Sequence, residues 1–399
     1  VACLRTTYLT PRLSFDLSLL FTAGVVLNAG FWLFSVSTTS SIAEDAYLHG
    51  YAPNVHSAMT LPFLALATPA GWLANLLSAR KLIIISQAIM VGVAATVAGL
   101  LTFGLQATTT LGIGAFAYAV AAALAVPVWT ALTGASRHRG PAALATLDLG
   151  FGLGRIAGAC LGSLAIEAQT LPLAFVSVAA CAAWLLIVLR TALRGPTFER
   201  PVGLDVNAQD PPAAVQRTAA SGHAGLTLPT FGFSLAASAA LALLPSIIRQ
   251  TSAVEHSAIG YLAAFFSVGT MAASAAVSTF GLSTSRSGLL RISGVILAVS
   301  LLLLALSERQ PTIAISMAIV GASWDISYLL LTTRRLNASR NNSNVRIAGM
   351  QIFASYGGFV VGGPLWGAIA ATAGLTTSLA LAALIAIIPV VYLSITCSE

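Results

Sequence analysis

Twelve apolar segments, each about as long as a bilayer is thick, constrain this chain more than any other feature. A helix needs ~20 apolar residues to cross ~30 Å of hydrocarbon. Such segments read at about 17–42, 54–77, 81–104, 108–132, 142–166 and 171–193. A second set reads at about 227–248, 256–280, 288–307, 311–333, 346–370 and 374–396. Inside a bilayer every backbone N–H and C=O must be satisfied within the segment, so each is expected to be a transmembrane α-helix. Only 8% of the residues are charged and 57% are hydrophobic. A soluble chain carries roughly 25% charged residues, so this surface is expected to face lipid. The first segment is too long for a signal-peptide core and has no small-residue cleavage site after it, so it reads as a span.

The segments divide six and six. Between them, Pro196, Pro201, Pro211 and Pro212 lie in a polar stretch. The expected organisation is an N-terminal six-helix bundle (1–193), a cytoplasmic linker (194–226) and a C-terminal six-helix bundle (227–399). If the N-terminus is cytoplasmic, sixteen of the nineteen basic residues fall on the cytoplasmic side, from Arg5 and Arg12 to Arg340 and Arg346. Arg249 and Arg309 fall outside and Arg155 lies within a span. That asymmetry predicts both termini inside and an even span count. A net charge of +7, built from one Lys and eighteen Arg without a basic run among exposed aromatics, is no nucleic-acid signal. Cys3, Cys160, Cys181 and Cys397 have neither zinc nor redox spacing, so no disulfide, metal or cofactor is expected.

The halves also resemble each other. Gly158-Ala-Cys-Leu-Gly-Ser-Leu-Ala165 aligns with Gly363-Pro-Leu-Trp-Gly-Ala-Ile-Ala370, about half the chain later. Parallel halves around a central site are one transporter architecture. In span 5, Gly150, Gly154, Gly158 and Gly162 recur every fourth residue. They form a groove where another helix backbone can approach, either as fixed packing or as a sliding contact.

With these pieces in place, the chain resembles the major facilitator superfamily, in particular the drug and siderophore exporter branch with the enterobactin exporters. The resemblance rests on Leu61-Pro-Phe-Leu-Ala-Leu-Ala-Thr-Pro-Ala-Gly-Trp-Leu-Ala-Asn75 running into Arg80-Lys81, on Pro127-Val-Trp-Thr-Ala-Leu132, and on Leu149-Gly-Phe-Gly-Leu-Gly-Arg-Ile-Ala-Gly158. It implies an all-α membrane protein of twelve transmembrane helices in two pseudo-symmetric six-helix bundles. It also implies a loop latch after span 2, to which Gly71, Asn75, Arg80 and Lys81 correspond. Asn75 stands where the family has Asp, so that latch cannot make the same ion pair. Phe31 stands where exporters carry an acidic residue in span 1, and Ala159 where they carry Pro in span 5. Gly154, Gly158, Gly162, Gly363 and Pro364 are further gating candidates.

Charges inside a membrane are costly and usually face a cavity or a partner. Asp148 and Arg155 lie on one face of span 5, separated by ~10 Å of rise. Arg155, ~21 Å beyond Pro141, is a candidate for an anionic ligand group; the alternative is a structural pairing with Asp148 or with carbonyls. Asp325, ~21 Å beyond Pro311, and Asp148 are the proton-coupling candidates; the alternative is a hydrogen-bonded structural role. Asp16 reads as interfacial. Asn28, Phe31, Trp32, Trp129, Arg155, Trp324, Tyr328, Gln351 and Tyr356 are the candidate substrate-binding residues. Asn28, Phe31, Trp32 and Ser35 share one face of span 1. Aromatics with few charges suit an amphipathic organic molecule, although some, Phe353 included, would face lipid instead. The carboxylates and imidazoles of Glu44, Asp45, His49 and His56 read as a solvated outer loop.

No motif for nucleotide binding, metal hydrolysis or an activated nucleophile occurs, so an enzyme is not expected. The expected function is secondary transport of a siderophore-like metabolite or drug by alternating access, as proton-coupled efflux. It would act as a monomer in a bacterial inner membrane, with protons, lipid and a small molecule as partners. The alternatives are proton-coupled import of a siderophore or other nutrient and, from another class, a membrane receptor without transport.

Overall fold

The computed structural model describes residues 11–45, 47–134, 140–192, 213–250, 258–280, 287–338 and 344–396. Twelve long helices run through these residues. The first six are α1 (Pro11–Glu44), α2 (Ala52–Leu76), α3 (Ala79–Thr102), α4 (Ala107–Gly134), α5 (Gly140–Glu167) and α6 (Leu171–Ala192). The second six are α7 (Ala213–Ala242), α8 (Ala258–Phe280), α9 (Ser287–Ala305), α10 (Gln310–Ala338), α11 (Asn344–Ala373) and α12 (Leu375–Thr396). A short helix, Leu244–Gln250, continues α7 beyond a break at Leu243, two residues before Pro245, which lacks the N–H an unbroken helix would use. Eleven of the twelve are long and apolar enough to cross a membrane within their described residues. Most helix ends fall within a few residues of the expected spans, some beyond them and some short of them. The larger difference is α7, which begins at Ala213, inside the stretch expected to be linker.

The two halves repeat one packing scheme. In the first, α1 packs on α5, α2 on α4, and α3 on α6. In the second, α7 packs on α11, α8 on α10, and α9 on α12. The halves meet along two equivalent seams, α2 with α11 and α5 with α8. Large apolar side chains on the outer helices, such as Trp184, Ile187, Ile292 and Leu384, are exposed. In water that girdle would aggregate; in lipid it needs no cover.

Glycines set the closest helix approach. A Cβ at Gly150, Gly154 or Gly158 would run into the carbonyl oxygens of Phe21, Val25 and Ala29 on α1. The glycine groove therefore holds α1 inside one half. On α11, a Cβ at Gly358 would sit 2.7 Å from the Phe231 carbonyl oxygen of α7. Gly154 and Gly358 thus occupy the same place in their halves. This corrects the sequence alignment by one residue: the packing counterpart of Gly158 is Gly362, not Gly363. Gly363 faces α2, in the opposite half.

Candidate substrate and proton site

The α2/α11 seam is closed by a hydroxyl set into a helix. Ser57 Oγ on α2 donates to the Phe359 carbonyl oxygen at 2.8 Å, and the Gly363 N–H donates back to it at 3.0 Å. These two backbone groups are one turn apart and would pair with each other in a regular helix. Ser57 of the other half bonds to both, and Pro364 follows directly. A side chain inserted in the ladder next to a proline is a recognised cause of a bend. A Cβ at Gly363 would fall on Ser57 Oγ and 2.6 Å from the Pro53 carbonyl oxygen, so this approach requires glycine.

Inward from this seam, aromatic rings form a belt across the halves. Trp32 of α1 lies 5.7 Å from His56 of α2, and His56 lies 5.5 Å from Phe359 of α11. Phe359 meets Trp324 of α10 edge-on at 5.4 Å, and Trp324 stacks on Tyr328 at 5.6 Å. A second bridge is Phe63 of α2, stacked on Tyr356 of α11 at 4.4 Å and 9°. Phe31 packs between Phe63 and His56. Trp324 Nε1 donates to Ser234 Oγ at 3.1 Å, which fixes its ring plane. Tyr328, Tyr356 and Trp324 are half-buried, whereas Phe31, Trp32, Phe63 and Phe359 are buried. Such a belt offers flat apolar faces with phenol, indole and imidazole edges, the lining expected of a site for an amphipathic organic molecule.

Beside Tyr328 and Tyr356 lies a buried polar cluster at the α5/α8 seam. Ser274 Oγ of α8 is in hydrogen-bond contact with Oδ2 of Asp148 on α5, and lies 2.8 Å from Oδ2 of Asp325 on α10. The carboxyls of Asp148 and Asp325 are themselves within hydrogen-bonding reach, and Arg155 lies within electrostatic range of Asp325. Arg155 Nη2 donates to Thr270 Oγ1 of α8 at 2.7 Å. Asp148, Arg155 and Asp325 are 5%, 7% and 0% exposed, so water does not screen them from one another. Helical rise brings Ser274 and Asp325 to one depth: Asp325 is ~22 Å into α10 and Ser274 ~24 Å into α8 from the same side.

The structure gathers Phe31, Trp32, Trp324, Tyr328 and Tyr356 around this region, with Asp148, Arg155 and Asp325 beside them. It places other candidates elsewhere. Gln351 accepts from Thr230 of α7 at 3.4 Å, within the second half. Asn28 lies at the α1/α5 packing face near Gly154. Gly162 packs on Val36 and Leu33 of α1. Trp129 is buried in α4 without a described ring contact to the belt. Phe353 is 47% exposed on the outer face of α11. Arg80 donates to the Arg190 carbonyl oxygen at the end of α6, and Lys81 N–H meets its N-cap, Ser78. The side chains of Gly71, Asn75, Asp16 and His49 lie outside the described residues. Asp45 turns its carboxylate onto the N–H groups of Tyr47 and Leu48.

His56 is a correction. It belongs to α2 and packs among Phe31, Trp32 and Phe359, not in a solvated loop. Ser57, Phe63, Thr270, Ser274 and Phe359 also escaped sequence reasoning. A signal did exist for α8: Ser267, Thr270 and Ser274, at helical spacing, put three hydroxyls on one face, and all are 0% exposed.

Comparison with known proteins agrees with this architecture. A family model described as transmembrane secretion effector matches residues 7–398. The E. coli fucose:proton symporter, in a single-residue variant, superposes with a TM-score of 0.71 at 14% identity, covering 96% of this chain and 98% of that one. The human organic anion transporter MFSD10 superposes with a TM-score of 0.71 at 13% identity, covering 96% and 99%. At such identities the likeness is one of fold. No curated protein matches in sequence.

Proposed function

The chain belongs to the transmembrane secretion effectors of the major facilitator superfamily, and from that premise we propose that it exports a small amphipathic organic compound in exchange for protons. Secondary transport follows from the family and the fold. The compound, the direction and the coupling ion are our reading. A siderophore-like metabolite or a drug fits the belt. One observation carries this reading: an aromatic belt bridging the halves lies directly beside Asp148 and Asp325, two buried carboxyls from opposite halves. Substrate would lie against Phe31, Trp32, Trp324, Tyr328 and Tyr356, and the carboxyls would load and release the proton. Arg155 serves as their counter-charge. The basic residues, concentrated on the side of the termini, favour an inner-membrane protein with both termini in the cytoplasm.

The test is transport by purified protein in liposomes with imposed pH gradients. Export by exchange predicts accumulation of an amphipathic probe only when the interior is acidic and the protein is inserted inside out. Accumulation driven by an acidic exterior would establish symport instead. Accumulation indifferent to pH in Asp148→Asn and wild type alike would remove the proton from the mechanism.

A further inference from the structure

We propose that Ser274 ties the proton state of the carboxyl pair to contact between the halves: it closes the α5/α8 seam only while one of Asp148 and Asp325 is protonated. This rests on the proton-coupled reading above and assigns it a residue.

A serine hydroxyl has one hydrogen and otherwise accepts. Ser274 Oγ touches Oδ2 of both Asp148 and Asp325, so it can donate to only one of them. The other contact is a hydrogen bond only if that carboxyl carries a proton and donates to the serine. The carboxyl–carboxyl approach has the same requirement. With both groups ionised, a carboxylate oxygen would face either a lone pair or another carboxylate in a buried site, which is costly.

Charge gives the same number. The groups facing the pair are Arg155 from α5, Tyr328 from α10 and Tyr356 from α11. Tyr118 of α4 is turned to the Leu27 carbonyl oxygen, and among the described residues no charged group of α1 or α9 acts on the Asp325 carboxyl. One guanidinium balances one carboxylate, and one proton neutralises the second.

Connectivity then supplies the coupling. Ser274 and Asp325 sit on α8 and α10 of the second half and move together; Asp148 rides on α5 of the first. When the halves part at this seam, Ser274 donates its single hydrogen to the Asp325 carboxylate. The contact with Asp148 is lost, and the Asp148 carboxyl is free to pass its proton to water. Rejoining requires a proton to be taken up again by one of the two. The proton is thus a condition of closure.

The experiment uses cross-linking across the same seam. Tyr261 and Glu167 meet at its far end, with Tyr261 Oη 3.4 Å from the Glu167 carboxylate. Cysteines at these two positions, in a chain whose native cysteines are replaced by alanine, report joined halves in nanodiscs when linked by a bifunctional thiol reagent that spans the gap the longer side chains fill. Cross-linking is read as a ratio to a cysteine pair within one half at the same pH, because the reactive thiolate fraction itself rises with pH; on that scale it is expected to be fast at pH 5 and at least roughly tenfold slower at pH 9, the factor for losing one charge-assisted hydrogen bond. Ser274→Ala, in a helix already rich in alanine, should give slow cross-linking at both pH values. Asp148→Asn, whose amide supplies its own hydrogen, should stay fast at both. If Ser274→Ala keeps the wild-type pH profile, Ser274 is not the coupling residue although proton coupling stands. If wild type itself shows no pH dependence while transport still follows the pH gradient, the proton acts elsewhere and this proposal fails. If neither responds to pH, the proton-coupled reading fails with it.

Discussion

Gly363→Ala is the substitution whose outcome the geometry fixes most directly. The added methyl falls on Ser57 Oγ and 2.6 Å from the Pro53 carbonyl oxygen. An ordinary carbon–oxygen contact is about 3.3 Å or longer, so the overlap with the backbone oxygen alone is about 0.7 Å. The serine can rotate away, but Pro53 is backbone at the start of α2 and cannot yield as easily. Overpacking of this kind costs about 1–3 kcal/mol. Both atoms it strikes belong to the opposite half, so the cost falls only on the state in which α2 and α11 touch. With a factor of ten per ~1.4 kcal/mol, the joined state should lose roughly fivefold to a hundredfold in population. The assay is oxidative cross-linking of Leu64→Cys with Gly357→Cys, where a Cβ on 357 would lie 3.4 Å from the Leu64 side chain. Gly158→Ala is the control. Its methyl meets the Ala29 carbonyl oxygen inside the first half, so it should lower the melting temperature and leave the cross-linking rate alone. Wild-type cross-linking in Gly363→Ala, or slowed cross-linking with an unchanged melting temperature in Gly158→Ala, would refute the division into one moving and one fixed glycine contact.

Three further outcomes are expected. Ser57→Ala removes both bonds to α11; at about 1 kcal/mol each, cross-linking of the same cysteine pair should slow roughly thirtyfold, and an unchanged rate would show that Ser57 follows closure without favouring it. Phe359→Ala takes away the ring between His56 and Trp324. The Kd of a fluorescent amphipathic probe should rise about tenfold, from aromatic contacts of roughly 0.5–1.5 kcal/mol apiece, and an unaltered Kd would place the probe elsewhere. Arg155→Gln removes the bond to Thr270 and the counter-charge of the carboxyl pair. In a thermal-shift screen it should lower the melting temperature without ligand and spare the shift given by anionic compounds; loss of the anionic shift alone would make Arg155 a ligand residue.

The overall architecture was legible because it rests on signals that add along the chain. Span length, the side taken by arginines and the half-chain repeat each involve many residues. The first part of α7 was not legible, because Pro211, Pro212 and the polar residues after them look like linker while the helix begins directly beyond, at Ala213. The site was legible where one residue type is costly in lipid. Asp148, Arg155 and Asp325 stand out on that ground alone, and the structure brings them together. Their connection was not visible, because it runs through Ser274 in a stretch of alanines and serines whose hydroxyls usually bond their own helix. His56 was missed for the opposite reason. It follows a loop holding His49, Glu44 and Asp45, and proximity in sequence suggested a shared environment. Helix α2 starts at Ala52 and carries it away among rings.

The one-residue error in the repeat has the sharpest physical content. Aligning Gly158 with Gly363 is reasonable by composition, since both open a pattern of small residues with a second glycine four positions on. A shift of one residue turns a helix by about 100°. On α11 that rotation separates two faces with different tasks. Gly358 and Gly362 look toward α7 and hold the second half together. Gly363 looks toward α2 and receives Ser57 from the first half. Adjacent glycines at 362 and 363 therefore serve a fixed contact and a separable one, side by side. In α5 the corresponding pair is Gly158 and Ala159. Gly158 holds α1, while the Ala159 carbonyl oxygen lies against Gly260 of α8. There the separable seam carries its glycine on α8 instead of α5. The two seams are thus equivalent in topology but not in which helix gives way, so substitutions at Gly260 and Gly363, rather than at Gly158 and Gly363, form the matched pair for separating the halves.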